Sequence, residues 1–144
     1  MKKGKQRWEV DFPLREEVED CAGRTRVFVV TCHEGGLGFT VRATEEEGQG
    51  GAYKFAAYSE TSPYRALGRV RDKLHRGLAT RHITGPPGGY RMLHDKLSGR
   101  ITSDLAGGPL LVVDGVPLAV DDLASILKSH EGWTFELRIT DALE

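Results

Sequence analysis

Residues 109–140 read PLLVVDGVPLAVDDLASILKSHEGWTFELRIT, and no other part of the chain narrows the fold as far. Residues 110–113 are apolar and end in two β-branched valines, and Asp114-Gly115 follows. That dipeptide is a strong signal for a two-residue hairpin, because both central residues of the turn need positive φ. Val116-Pro117-Leu118 returns. Pro117 has no N–H, which restricts the returning strand to a short or edge position. Asp121 and Asp122 fall in the first turn of the next element, where carboxylates favour the positive end of a helix dipole. Val120, Leu123, Ile126 and Leu127 recur at helical spacing, and Gly132 is expected to end that helix in a left-handed cap. Trp133, Phe135, Leu137 and Ile139 then alternate with Thr134, Glu136, Arg138 and Thr140, the period-two pattern of a half-buried strand.

Upstream, the periodicity changes twice. Trp8, Val10, Phe12 and Leu14 alternate with polar residues and predict a strand, with Pro13 marking it as an edge. Residues 16–20 carry four acids and read as a solvated strand face or loop. Residues 20–23 read as a turn, with Gly23 at the left-handed position. Residues 26–32 are nearly continuous apolar and predict a central strand covered on both faces. Gly35-Gly36 turns the chain into the alternation Leu37, Phe39, Val41, Ala43. After a polar, glycine-rich loop at 45–51 come Tyr53, Phe55 and Ala57. This is an antiparallel meander of about four strands. Ser62-Pro63 then offers an N-cap followed by proline at the first helical position. Leu67, Val70, Leu74 and Leu78 set a helix over about 63–81, despite Gly68 and Gly77, each costing about 1 kcal/mol relative to alanine. The run at 84–89, TGPPGG, is expected to end that helix. Residues 90–94 and 99–103 are the next strands. The fold class is α+β: an antiparallel β-meander followed by a helix, then β-hairpin–helix–strand, with helices packed on sheet. Residues 1–144 are read as one domain, and a subdivision at the Gly/Pro run would give 8–83 and 90–140.

The second half resembles a bacterial family of uncharacterised proteins, a domain of unknown function. The resemblance is carried by Arg76-Gly77-Leu78 with His82, by Gly99-Arg100-Ile101 with Asp104, by residues 109–115 (PLLVVDG), and by Glu131-Gly132-Trp133 before Phe135-Glu136-Leu137. It covers roughly the last 70 residues and weakens upstream. The family pattern places serine and an aromatic ahead of the acidic pair; Ala119 and Val120 stand there in this chain, so the side-chain N-cap is missing. The resemblance implies one shared fold and carries no catalytic residue.

Candidate chemistry is sparse. Arg65, Arg69, Lys73 and Arg76 fall within about 80° of one another on a helix, opposite the leucine stripe. Residues 63–82 hold six bases (Arg65, Arg69, Arg71, Lys73, Arg76, Arg81) against the single acid Asp72. Such a row suits phosphate contacts and makes Arg65, Arg69, Lys73 and Arg76 the candidate nucleic-acid-binding residues. The structural alternative is a solvated face paired with acids of the meander, Glu16, Glu17, Glu19 and residues 45–47. Cys32 and His33 are adjacent, which on a strand sends them to opposite faces. His75 and His82 stand seven apart, whereas chelation of one ion on a helix favours four. No metal ligand set and no catalytic residue is therefore assigned, and Cys32 reads as an inert core thiol. Asp121 and Asp122 diverge by about 100° on a helix and are explained by its dipole rather than as an acid/base pair. The 84–89 run lacks the lysine and hydroxyl of a phosphate loop.

A net charge of −1 excludes any global electrostatic argument for nucleic acid or membrane, and two cysteines make no disulfide framework. No apolar run approaches the ~20 residues of a membrane span, and no signal-peptide core follows the basic start, so a cytoplasmic location is expected. The resulting expectation is a non-catalytic interaction or ligand-binding domain, without a cofactor, serving a protein or small-molecule partner. The alternatives are nucleic-acid binding through helix 63–82, or an enzyme whose groups converge only in three dimensions.

Overall fold

The computed structural model describes residues 7–46 and 53–144. The expectation for most of the 45–51 loop falls outside them. The chain divides into two compact units at Ala79/Thr80, ahead of the Gly/Pro run; residues 141–144 belong with the first unit.

Unit one begins with a short helix, α1 (Arg7–Asp11), where a strand was expected. The apolar residues Trp8 and Phe12 are four apart as well as even-spaced, and a run this short does not distinguish the two periods. The Phe12 amide donates to the Trp8 carbonyl at 3.2 Å, and the Trp8 ring meets Phe39 edge-on at 5.8 Å. Val10, which a strand would have buried beside them, is exposed. Four strands follow: β1 (Leu14–Glu19), β2 (Thr25–Gly35), β3 (Gly38–Glu45) and β4 (Lys54–Ser59), paired antiparallel in sequence order. β1 lies at the edge, just after Pro13. The acidic run 16–19 belongs to this strand, with Val18 buried among the acids.

Register fixes which side chains share the core face. Leu14 stands opposite Val30, Val30 opposite Ala43, and Cys32 opposite Val41, which lies opposite Ala57. Helix α2 (Pro63–Ala79) lays Ala66, Leu67, Val70, Leu74 and Leu78 onto that face, and Phe28 is fully buried beneath it. The Ser62 hydroxyl accepts from the Tyr64 amide at 3.1 Å, the expected cap. Gly77 lets α2 approach the sheet, since a Cβ there would lie 2.6 Å from the Phe55 ring. The expectation that β2 is covered on both faces holds only in part. Phe28 and Val30 lie on the α2 side, while Val27 is buried and Val29 half-buried on the face shared with Thr31 and Arg42.

Unit two is strand-rich and thinner. β5 (Ile83–Thr84) and β6 (Arg91–Met92) form a small hairpin, so the 84–89 run closes a hairpin rather than ending α2, which stops earlier at Ala79. β7 (Gly99–Ser103), β8 (Pro109–Val113) and β9 (Val116–Ala119) form a three-stranded antiparallel sheet. The β8–β9 turn is the predicted one, with φ of 55° at Asp114 and 77° at Gly115. Helix α3 (Val120–Lys128) packs Ile126 against Ile83, Val113 and Leu118. No cap side chain exists at Ala119; instead the Ala119 amide donates back to the Asp122 carboxylate at 3.0 Å.

Two expectations at the end of unit two are corrected. Gly132 is not the cap of α3. The helix gives way to successive turns, His130 N–H to the Leu127 carbonyl and Trp133 N–H to the His130 carbonyl, and Gly132 takes its positive φ inside the second. Residues 133–140 carry a strand pattern but join no sheet among the described residues, and both of their faces are exposed. No helix among the described residues is long and apolar enough to cross a membrane.

Candidate functional site

The basic face of α2 is where the expected site residues lie, and it is less free than a helical wheel suggests. Ridge geometry turns Arg69 and Lys73 toward the outer edge of β4. The Arg69 guanidinium donates to the Tyr58 carbonyl at 2.7 Å, and the Lys73 ammonium donates to the Ala56 carbonyl at 2.8 Å. These bonds cap backbone acceptors that an edge strand otherwise leaves open. Lys73 makes a second bond, to the Ala142 carbonyl at 3.0 Å. Arg76 folds back on its own helix, donating to the Asp72 carbonyl at 3.3 Å. Arg65 is exposed. Of the acids proposed to neutralise the helix, Glu16 does so, but through Arg71, which lies outside the row of four.

Beside this face lies a cavity of about 260 Å³. Its walls are Arg69, Asp72, Lys73 and Arg76 from α2, Ala57 from β4, and Leu143 and Glu144. Residues 141–144 thus lie along the basic row. Partial burial lowers the Lys73 pKa, and the nearby Arg76 and Arg69 charges lower it further, while Asp141 and Glu144 act in the opposite sense. The cavity is a cationic pocket already touched by an acidic stretch of its own chain.

Two buried polar clusters lie elsewhere, one in each unit, and neither was anticipated. In unit one, Arg26 bridges Asp20 at 3.0 Å and Glu45 at 2.9 Å, under the ring of Tyr53 at 5.3 Å. Burial opposes the Arg26 charge, yet the two carboxylates outweigh it and raise the guanidinium pKa. Arg26 and Glu45 lie on the α2 side of the sheet, so the triad closes one end of the core with charge rather than with an apolar residue. Glu45 Oε1 is buried without a hydrogen-bond partner.

In unit two, the Asp114 carboxylate accepts from the backbone amides of His82 at 2.7 Å and Ile83 at 2.8 Å, while its other oxygen meets His82 Nδ1 at 2.9 Å. A His–Asp pair is half of a proton relay. Here one carboxylate oxygen holds two backbone amides, so the pair fastens the start of β5 to the β8–β9 turn. The sequence assigned Asp114 to turn chemistry alone. Its other partners sit 31 and 32 residues away, beyond any local pattern.

The remaining candidates stay apart. Cys32 is half-buried, its thiol pKa raised by burial and then by Glu34, while its neighbour His33 is exposed. Among the described residues, no three His, Cys, Asp or Glu side chains come together in a way that would hold a metal ion.

The fold and these clusters define a two-part α+β chain whose conspicuous polar groups bind one another or the backbone. Comparison with known families divides the chain at the same place. Residues 10–79 match a family described as Domain of unknown function (DUF7686), and residues 81–144 match one described as Domain of unknown function (DUF7713). The second match takes in most of the residues that carry the resemblance to an uncharacterised family, from His82 onward, while Arg76-Gly77-Leu78 fall in the first. No curated protein and no solved structure matches the chain.

Proposed function

We propose that unit one is a non-catalytic interaction module whose basic α2 face receives an acidic, turn-forming segment of a partner protein. The carrying observation is the seat of residues 141–144. Their backbone accepts a hydrogen bond from Lys73 through Ala142, and Leu143 and Glu144 line the cationic cavity. An acidic peptide supplies the same three elements: a carbonyl for Lys73, an apolar side chain for the wall at Ala57, and a carboxylate for Arg69 or Arg76. The two bonds from α2 to β4 hold Arg69 and Lys73 in place before a ligand arrives, which lowers the ordering cost of binding. This supports peptide recognition over the nucleic-acid reading, because a phosphate-tracking row is stronger when its cations are free to reach outward.

Fluorescence polarisation on the full chain tests the reading, with a labelled peptide of sequence DALE flanked by neutral residues. Binding is expected to weaken at least tenfold in Lys73→Ala. It is expected to strengthen in the double variant Asp141→Asn, Glu144→Gln, whose own segment competes less well. Failure of the peptide to bind either protein removes the proposal. A parallel titration with generic RNA and DNA separates the alternative. Salt-sensitive binding lost in Arg65→Glu, Arg69→Glu, Arg76→Glu would assign the face to nucleic acid.

A further inference from the structure

Residues 141–144 follow unit two in sequence but belong to unit one in space. Their own hydrogen bonds shape them into a turn. The Asp141 carboxylate accepts from the Leu143 amide at 2.9 Å, and the Asp141 carbonyl accepts from the Glu144 amide at 3.1 Å. The turn presents the Ala142 carbonyl to Lys73 Nζ at 3.0 Å, and it brings Leu143 and Glu144 to the cavity wall. Asp141 and Glu144 also act on the Lys73 charge, in the sense that favours it.

The two sides of this contact are held unequally. Asp141, Ala142 and Glu144 are exposed, and Leu143 is half-buried. Attractions between exposed charges are screened by salt and are worth little. The receiving side is fixed by other bonds. Lys73 keeps its hydrogen bond to the Ala56 carbonyl at 2.8 Å, and Arg69 keeps its own to the Tyr58 carbonyl at 2.7 Å, whether or not the segment is seated. The seat is therefore rigid and its occupant removable.

We infer that residues 141–144 are an autoinhibitory strap, which fills the α2 seat until a partner segment displaces it. The inference rests on the reading of this face as a peptide site and adds how that site is regulated. Being part of the same chain, the strap competes at an effective concentration on the order of millimolar, so a partner has to exceed it in contacts rather than merely match them. The strap is also the chain's return from unit two, since Thr80–Thr140 lie between Ala79, the last residue of α2, and Asp141. Its release removes the second of the two points at which the chain of unit two joins unit one. Linkage then runs both ways: a seated partner loosens that return, and anything that draws residue 140 away from α2 opens the seat.

The test follows the backbone amides of residues 141–144 by NMR in the full chain, during titration with the unlabelled peptide containing DALE. The signals of Ala142, Leu143 and Glu144 are expected to move to free-peptide positions in step with binding. They are expected to reach the same positions in Lys73→Ala with no peptide added. A chain carrying Asp141→Gly, Ala142→Ser, Leu143→Gly and Glu144→Ser together lacks the turn and both acids, and should bind the peptide roughly tenfold or more tightly than the unaltered chain. Equal affinity of the two chains overturns the strap, and so do strap signals that stay in place while the peptide binds. In either case, loss of binding in Lys73→Ala would still uphold the peptide site. A peptide that binds neither chain overturns both.

Discussion

Unit one closes on itself and unit two does not. In unit one a single seventeen-residue helix covers one face of a four-stranded sheet, eleven buried apolar residues form one cluster, and ion pairs or proline guard the margins. In unit two the fully buried cluster is four residues, Ile83, Val113, Leu118 and Ile126, and much of the order comes from carboxylates that grip backbone amides. The difference teaches where each unit is sensitive. A unit with a large core loses stability through cavities; a unit with a small core loses it through its polar fastenings, and it has apolar surface left to offer. The chain has two tryptophans, and each unit holds one, Trp8 and Trp133, so a Trp133→Phe background leaves Trp8 as the reporter of unit one and a Trp8→Phe background leaves Trp133 as that of unit two.

The largest effect is expected from Phe28→Ala. Phe28 is fully buried in the centre of β2, and truncation of such a side chain costs about 3–5 kcal/mol, the transfer term plus the cavity left behind. Urea unfolding followed at Trp8 should show the loss while the Trp133 signal keeps its midpoint. Equal losses at both probes would break the comparison, since the units would then unfold together.

Next is Asp114→Ala. It removes the acceptor of two backbone amides and the partner of His82, and it puts alanine at a φ of 55°. Orphaned amides cost roughly 1–3 kcal/mol each, so a loss of about 2–4 kcal/mol is expected, confined to the Trp133 probe. Asp114→Asn tolerates the positive φ and keeps one acceptor, so it should recover part of the loss. If alanine costs less than about 1 kcal/mol, unit two is held by its apolar cluster after all.

A third test sets two effects against each other. Gly77→Ala gains about 1 kcal/mol of helix propensity but pushes a methyl to 2.6 Å from the Phe55 ring, and overpacking costs about 1–3 kcal/mol. A net loss of roughly 1 kcal/mol in unit one is expected. A net gain would mean that Phe55 yields and that the core of unit one is looser than its burial implies.

What could be read in the sequence divides along the same line. Asp114-Gly115 announced its hairpin and Ser62-Pro63 announced α2, because turn and cap chemistry act over a few residues. The meander followed from alternation that one covered face imposes. The α1 helix was missed because Trp8 and Phe12 satisfy two periods at once. The fate of the basic row depended on which carbonyls of β4 lie within reach of Arg69 and Lys73, a matter of helix placement rather than spacing. The second role of Asp114 and the Arg26 triad join residues far apart in the chain, and no periodicity records such pairs. Residues 133–140 show the limit most directly: alternation predicts that a strand will be buried, but not against which sheet.

The smallest effect concerns charge in unit one and fixes what the Arg26 triad contributes. Burial alone pushes the Asp20 carboxyl upward, but the Arg24 amide, the Arg26 guanidinium and the Ala22 amide outweigh it and hold its pKa below the ordinary 3.8. A carboxylate depressed in the folded state stabilises it wherever the unfolded group is also ionised. The contribution is therefore complete above about pH 4 and is lost as pH falls through the lower folded value. Urea midpoints read at Trp8 between pH 5 and 2 should fall with pH, and Asp20→Asn should reduce that slope while costing less than about 1.5 kcal/mol near neutrality, the worth of one hydrogen bond to a charged group. The Trp133 probe supplies a second profile, for unit two, over the same pH range. The Asp20 variant should leave that second profile unchanged, and a shift in both would show that the two units share their stability rather than holding it separately.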